Sequence, residues 1–357
     1  MLRIMRPFEL LSSAAQGSAG FVCHATGPFT GLLGAQLFMR IGAKSRSETE
    51  GSIIPNAVVI TTCSHRKSVK PTRAATPSSL SRAHQPIVAT QWITKVDRLP
   101  RWGAAETFYA GRAFGLAKEA ANLSAARFYI LSAGLGIVPA SRPIPVYGLT
   151  ISPRHEQSVL RKIVGDFDPP EWFSSLLTGV HSDEWSDVAG GNSGRILTAL
   201  SRPYAEMVAA SLANAPRRML ERLRIFGTSL ETALPVNLHA AIAPYDERLN
   251  AIIPGTRTDF AQRAMLHFVK SVATKPSKGR EDDFAAVRSS LKNLKLPRLV
   301  QRPRVTDEEI LAVIKRRLRM QTGAARMLAA LRHEEGVACE QSRFARLYRI
   351  AAAKKGM

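Results

Sequence analysis

Two short stretches of the chain carry side chains suited to chemistry on a phosphate. Cys63-Ser64-His65-Arg66-Lys67 follows an apolar, β-branched run, so reactive and basic groups sit where a buried strand would end. Hydroxyl, imidazole, guanidinium and ammonium groups together bind phosphate, and open α/β sheets collect ligands at strand ends. A solvated basic turn has the same composition. The second stretch is Ser132-Ala133-Gly134-Leu135-Gly136. Gly134 and Gly136 would let backbone N–H groups approach a phosphate beside Ser132, and they would equally serve a tight turn that the fold alone requires.

Chemistry on a base asks for more: an aromatic face for stacking, and a carboxylate to orient water or stabilise positive charge developing on a sugar. Tyr109, Tyr147 and Tyr245 are the stacking candidates, although each taken singly reads more readily as a core or rim tyrosine. Asp246 and Asp259 are the candidate catalytic carboxylates, with Arg248 and Arg257 beside them as phosphate contacts. An Asp beside an Arg is as often only a structural ion pair. Lys67 as a Schiff-base amine and Cys63 as a nucleophile are lesser alternatives. His155, His239 and His267 lack ligand spacing, and Cys23, Cys63 and Cys339 lie far apart. Neither a metal centre, a disulfide framework nor a cofactor is expected.

The elements that must position these groups follow from hydropathy. Ala57 to Thr62 reads as a strand buried on both faces, and Arg127 to Ser132 as a second. Between them, a Pro/Ser/Thr/Arg-rich stretch to Pro86 reads as loop, and the apolar spacing from Ala104 to Leu123 predicts a helix. Strand, helix, strand implies a right-handed βαβ unit. A further strand is expected at 222–227, and helices after Pro203 and from Ala261 to Val272. The expected fold class is α/β, a mostly parallel sheet flanked by helices, over residues 55–272. Residues 1–54 are rich in Ser, Gly and Ala with few acids. That composition loosely suits a transit peptide, but a poorly ordered extension from an early start codon is the preferred reading.

Residues 273–304 read as a basic, Pro-containing linker with one short helix around Phe284 to Leu294. Residues 305–357 read as a small all-α domain of three helices. Thr306 and Glu309 complete a capping box, and Gly336 stops the second helix. The third helix sets Phe344, Leu347 and Tyr348 against Gln341, Ser342, Arg343, Arg346 and Arg349 on the opposite face. Short helices joined by a Gly-containing turn, with Gln, Ser and Arg outermost, match a helix-turn-helix that reads double-stranded DNA. A small bundle with a solvated basic face is the alternative.

Charge supports a polyanionic partner. The chain of 357 residues holds 50 Lys and Arg against 28 Asp and Glu, a formal +22. Such an excess repels itself within a compact fold, and nucleic acid offsets it. No apolar run reaches the roughly 20 residues that span a bilayer. A cytoplasmic location without membrane contact is expected.

Taken together, Val59 to Lys67, Phe108 to Phe114, Ile130 to Pro139 and Ile144-Pro145-Val146-Tyr147 resemble the YaaA-like families of DNA-associated proteins. The resemblance covers roughly residues 55 to 270 and implies a uracil-glycosylase-like fold. One branch looks like antiphage DNA glycosylases that remove glucosylated hydroxymethylcytosine from phage DNA. The resemblance therefore implies hydrolysis of the N-glycosidic bond of a modified base. A non-catalytic DNA-binding protein of stress response or regulation, and a base-exchanging nucleic-acid transferase, share the same motifs.

Overall fold

The computed structural model describes residues 56–191, 194–274, 277–297, 303–318 and 323–353. In chain order the strands are β1 (Val58–Thr62), β2 (Arg101–Ala104), β3 (Arg127–Ser132), β4 (Gly136–Pro139), β5 (Pro143–Pro145), β6 (Ile196–Ala199) and β7 (Leu223–Phe226). The helices are α1 (Gln85–Asp97), α2 (Ala105–Phe108), α3 (Arg112–Leu123), α4 (Pro169–Leu176), α5 (Trp185–Ala189), α6 (Arg202–Ala213), α7 (Arg217–Arg222), α8 (Val236–His239), α9 (Phe260–His267), α10 (Arg280–Leu291), α11 (Asp307–Arg317), α12 (Ala324–His333) and α13 (Gln341–Ala353). The N-terminal extension expected over 1–54 lies outside the described residues.

The central sheet runs β4-β3-β1-β6-β7. Strands β3, β1, β6 and β7 are parallel, and β4 returns antiparallel beside β3. The α/β expectation therefore holds. Strand β1 shows why: Val58 and Ile60 enter one core while Val59 enters the other, so alternate residues bury on opposite faces. Helices α1, α4 and α6 pack on the first face, and α3, α9 and α10 on the second. From β1 the chain moves to β3 on one side, then crosses back to β6 on the other. The switch point of the sheet is thus at the carboxyl ends of β1 and β6.

Three elements differ from expectation. The predicted 104–123 helix is two: α2 ends before Tyr109, and Gly111 turns the chain at φ +101° before α3 begins. Only glycine adopts that φ without strain. Helix α1 begins at the end of the stretch read as loop and runs on where no element was expected, and Pro86 at its start with buried Val88, Ala89, Trp92 and Val96 accounts for it. The stretch 273–304 is more than linker, because α10 buries Phe284, Val287 and Leu291 in the second core. Asp283 of α10, almost fully buried, accepts hydrogen bonds from Arg195 at 2.9 Å and from Arg224 on β7 at 2.9 Å. The helix is thereby ionically fastened to the sheet.

Helices α11 to α13 form their own small core from Ile310, Ile314, Met327, Leu331, Phe344 and Leu347. The capping box at Thr306 and Glu309 is present, and Gly336 has φ +66°. The outer arginines of α13 are not free. Arg343 and Arg346 both donate to Asp307, at 2.6 and 2.5 Å, and Arg343 also donates to the Val305 carbonyl. Ser342 donates to Glu340, while Gln341 is exposed. The hydrogen bonds from Arg346 and then Arg343 hold the Asp307 carboxyl below its usual value. Among the described residues no helix is long and apolar enough to cross a membrane.

Candidate functional site

A cleft of about 890 Å³ opens at the switch point. Its walls come from the segment after β1 (Thr62 to Arg66), the start of α3 (Gly111 to Phe114), the start of α6 (Ser201 to Tyr204) and the 256–262 turn into α9. Each of these helices follows or precedes a parallel strand, so all three point their N-termini at the carboxyl edge of the sheet. Neither α3 nor α6 has a side chain capping its first amides. The first amides of α3 and the positive ends of the helix dipoles therefore converge on one space; α6 adds mainly its dipole, because Pro203 has no N–H and the Tyr204 and Ala205 amides donate to the Ser201 carbonyl.

Side-chain charge reinforces them. Arg66, Arg112, Arg202 and Arg257 line the cleft, and Asp259 is the sole acid among its lining residues. Among the described residues Arg66 and Arg257 have no acidic partner. Arg202 pairs with Glu206 one turn along α6. Arg66 lies against Gly111, whose missing side chain leaves its methylenes room, with Cδ 3.4 Å from where a Cβ would be.

The candidates drawn from sequence divide sharply. Ser64, His65, Arg66, Arg257 and Asp259 are all in the cleft wall. The Ser64 hydroxyl donates to the Arg66 carbonyl at 2.6 Å and so shapes the turn. The His65 ring stacks on His155 at 4.7 Å. Burial, then the charges of His155 and Lys67, lower the His65 pKa, so the ring is neutral near pH 7.

Lys67 is outside the cleft. Residue 67 bridges Tyr109 as a short extended pair, so neighbouring side chains point oppositely, Arg66 to the cleft and Lys67 inward. Its ammonium lies 5.5 Å from the Tyr147 ring centre and 5.9 Å from that of Phe108. Burial lowers its pKa, opposed by Cys63.

The three tyrosines are core residues, which removes them as base-stacking platforms. Tyr147 is fully buried; its hydroxyl lies 2.6 Å from that of Tyr109 and 2.5 Å from Ser132 Oγ. Burial raises both phenol pKa values far above normal. Tyr245 sits in the other core, with its hydroxyl 2.9 Å from His267 Nδ1. Polar atoms of an aromatic residue that satisfy one another let the whole ring bury.

Ser132, Gly134 and Gly136 build a turn rather than a phosphate cradle. Ser132 Oγ accepts from the amides of Gly134 and Leu135, closing the β3–β4 connection. A Cβ on Gly134 would stand 2.6 Å from the Tyr147 ring, and one on Gly136, at φ +80°, 2.4 Å from Ser182 Oγ. Close packing explains both glycines. Asp246 lies outside the cleft, where it caps the 247–251 turn and holds Arg248 at 2.7 Å. Their place away from the cleft removes both from the candidate machinery.

Several cleft residues escaped the sequence reading, Arg202 among them. Arg112 opens α3. Gln262, almost fully buried, donates to Thr61 at 3.2 Å. Tyr204 places its hydroxyl 2.9 Å from Cys63 Sγ at the cleft floor. Burial, then Cys63, hold the Tyr204 phenol well above its usual pKa, so it keeps its proton. Comparison of the chain with protein-family models, curated proteins and solved structures finds no match in any of the three, so what the cleft can hold follows from its own geometry.

Proposed function

We propose that the cleft is a nucleotide site through which the protein engages DNA, with the phosphate held at the carboxyl edge of the sheet. One observation carries this reading: uncapped N-termini of α3 and α6 meet Arg66 and Arg257, which have no acidic partner among the described residues, in one concave space. A volume of about 890 Å³ is in the range of small-ligand sites and admits one extruded nucleotide. Arg66→Ala combined with Arg257→Ala should weaken binding of a short single-stranded oligonucleotide by about tenfold or more, near 1.4 kcal/mol. Anisotropy titration measures it. An unchanged affinity would remove the phosphate role of the cleft.

Hydrolysis of the N-glycosidic bond of a modified base is a second reading, favoured by the presence of Asp259 in the cleft wall. Its carboxylate is already shared between two arginines, so it suits electrostatic stabilisation better than proton abstraction. Incubation with phage DNA carrying glucosylated hydroxymethylcytosine should then release the modified base, read by mass spectrometry, while unmodified DNA stays intact. Absence of any released base would leave binding alone. In either reading, α11 to α13 serve as a helix-turn-helix-like contact to duplex DNA, supported by their three short helices and by 19 Lys and Arg against 9 Asp and Glu from residue 277 onward.

A further inference from the structure

We infer that Arg112 is the phosphate-anchoring side chain of the cleft and that Asp259, itself held by Arg263, is the residue that aims it. The inference rests on the nucleotide reading of the cleft and names the group that would grip the phosphate.

Arg112 stands half exposed in the cleft wall, with its side chain 51% accessible. Its Nη1 donates to Asp259 Oδ2 at 2.9 Å and its Nη2 to the Pro254 carbonyl. Two fixed acceptors on two nitrogens set the plane of the guanidinium. A guanidinium has five N–H donors, so these two contacts leave others for a ligand.

Asp259 is in turn immobilised. Its side chain is 6% accessible, and Oδ1 accepts from Arg263 Nε at 2.9 Å and from the Thr256 amide at 2.8 Å. Arg263, only 1% accessible, also donates to Asn250 Oδ1 and to the carbonyls of Ile253 and Thr256. One buried guanidinium thus fastens the 250–256 loop to α9 and presents the carboxylate to Arg112. Gly255 packs against this pair, since a Cβ there would lie 2.4 Å from Arg263 Nε.

The charge count fits an anion. Two guanidiniums share one carboxylate, leaving a net positive charge beside Arg66 and Arg257. A planar fork next to further cations matches phosphate oxygens, which Arg binds bidentately and Lys only as a point charge. The ligand chemistry is the phosphate of a nucleotide, carried in a strand or on a free mononucleotide.

Asp259 offers a test by sign. Were it only a negative charge near an anion site, Asp259→Asn would tighten binding. As a positioning residue, its loss releases Arg112 and weakens binding despite the added net positive charge. With full-length protein and a labelled single-stranded oligonucleotide, Arg112→Ala should lose about tenfold in affinity and reduce the salt slope by about 0.7. Arg112→Lys should keep the slope yet recover little of the affinity. Asp259→Asn should weaken binding, and adding it to Arg112→Ala should cost nothing further, because the two act as one unit. A merely structural Asp259 would give additive losses.

Competition with a free mononucleotide separates the two sources. Displacement that disappears in Arg112→Ala assigns the free nucleotide, and a binding loss without displacement assigns the strand. Should Asp259→Asn fail to fold by circular dichroism, Asp259→Glu takes its place: it keeps the charge but displaces the carboxylate, and wild-type affinity in that folded variant overturns the positioning role. Wild-type affinity in Arg112→Ala, or tighter binding in a folded Asp259→Asn, overturns the inference while leaving the cleft reading intact. If wild-type protein binds none of these probes, the cleft reading itself falls, and the inference with it.

Discussion

Asp283→Ala should destabilise the folded chain by about 3–5 kcal/mol, because it leaves two guanidiniums buried without a counter-charge. The Asp283 side chain is 1% accessible, that of Arg224 4% and that of Arg195 18%. Arg195 donates through two nitrogens to the two carboxylate oxygens, which fixes the geometry as well as the charge. A urea titration should show a lower midpoint with an unchanged slope if the denatured state is unaffected. A loss below about 1 kcal/mol would mean that water reaches the pair and that α10 is fastened by its apolar face alone.

The same carboxylate sets a pH dependence. Burial alone would raise its pKa, but hydrogen bonds from Arg195 and Ser277 and the charges of Arg195 and Arg224 outweigh it. The folded value therefore lies below the usual 3.8. A depressed folded pKa stabilises above the unfolded value and loses that contribution as pH falls through the folded one. The gap between wild type and Asp283→Ala should thus be constant from neutral pH down to about 4 and narrow only below it.

The sheet was legible because burial leaves a local mark. An uninterrupted β-branched run announces β1 and an aromatic and aliphatic run announces β3, and a parallel strand has no polar face to obscure the signal. Caps are local as well, which is why Thr306, Glu309 and Gly336 could be placed. Helix α1 was obscured by the proline-rich stretch ahead of it, although Pro86 at a first turn is a start signal.

The site was legible only in part. Ser64, His65 and Arg66 follow directly from the end of β1, so finding the strand finds them. The tyrosines failed because residue type cannot say whether a phenol has a buried partner, and the Tyr109–Tyr147–Ser132 contacts exist only after β3 and β5 are placed. Arg112 meets Asp259 across 147 residues, a pairing that no spacing rule anticipates. Arg248 and Arg257 looked equivalent, each near an Asp. In the fold Arg248 closes on its own neighbour, while Arg257 extends into the cleft.

Binding to duplex DNA should weaken by about a thousandfold between 50 and 200 mM salt, if about six phosphates are contacted. The formal charge of +22 motivates the number, since each neutralised phosphate releases counterions and adds about 0.9 to the log–log slope. Which cations contribute is decided by their partners. Arg66 and Arg257 have no acidic partner among the described residues, so their charge is available to an incoming phosphate. Arg343 and Arg346 are held by Asp307, so a phosphate must compete with that carboxylate for them. Removing both arginines therefore loses two cations and also exposes an unpaired Asp307 at the same surface. Asp307→Asn does the opposite: it frees the arginines and removes a repelling charge. If α13 contacts duplex DNA, the double Arg343→Ala, Arg346→Ala variant should bind more weakly and Asp307→Asn at least as tightly as wild type, with the slope falling only in the former. Asp307 also sits in the first turn of α11, so circular dichroism must show that its variant keeps the three helices. Equal affinity and equal slope in both folded variants would take α13 out of the interface and leave the cleft as the DNA contact. A flat salt response in wild-type protein would go further, because a charge excess that no phosphate neutralises cannot be the footprint of nucleic acid.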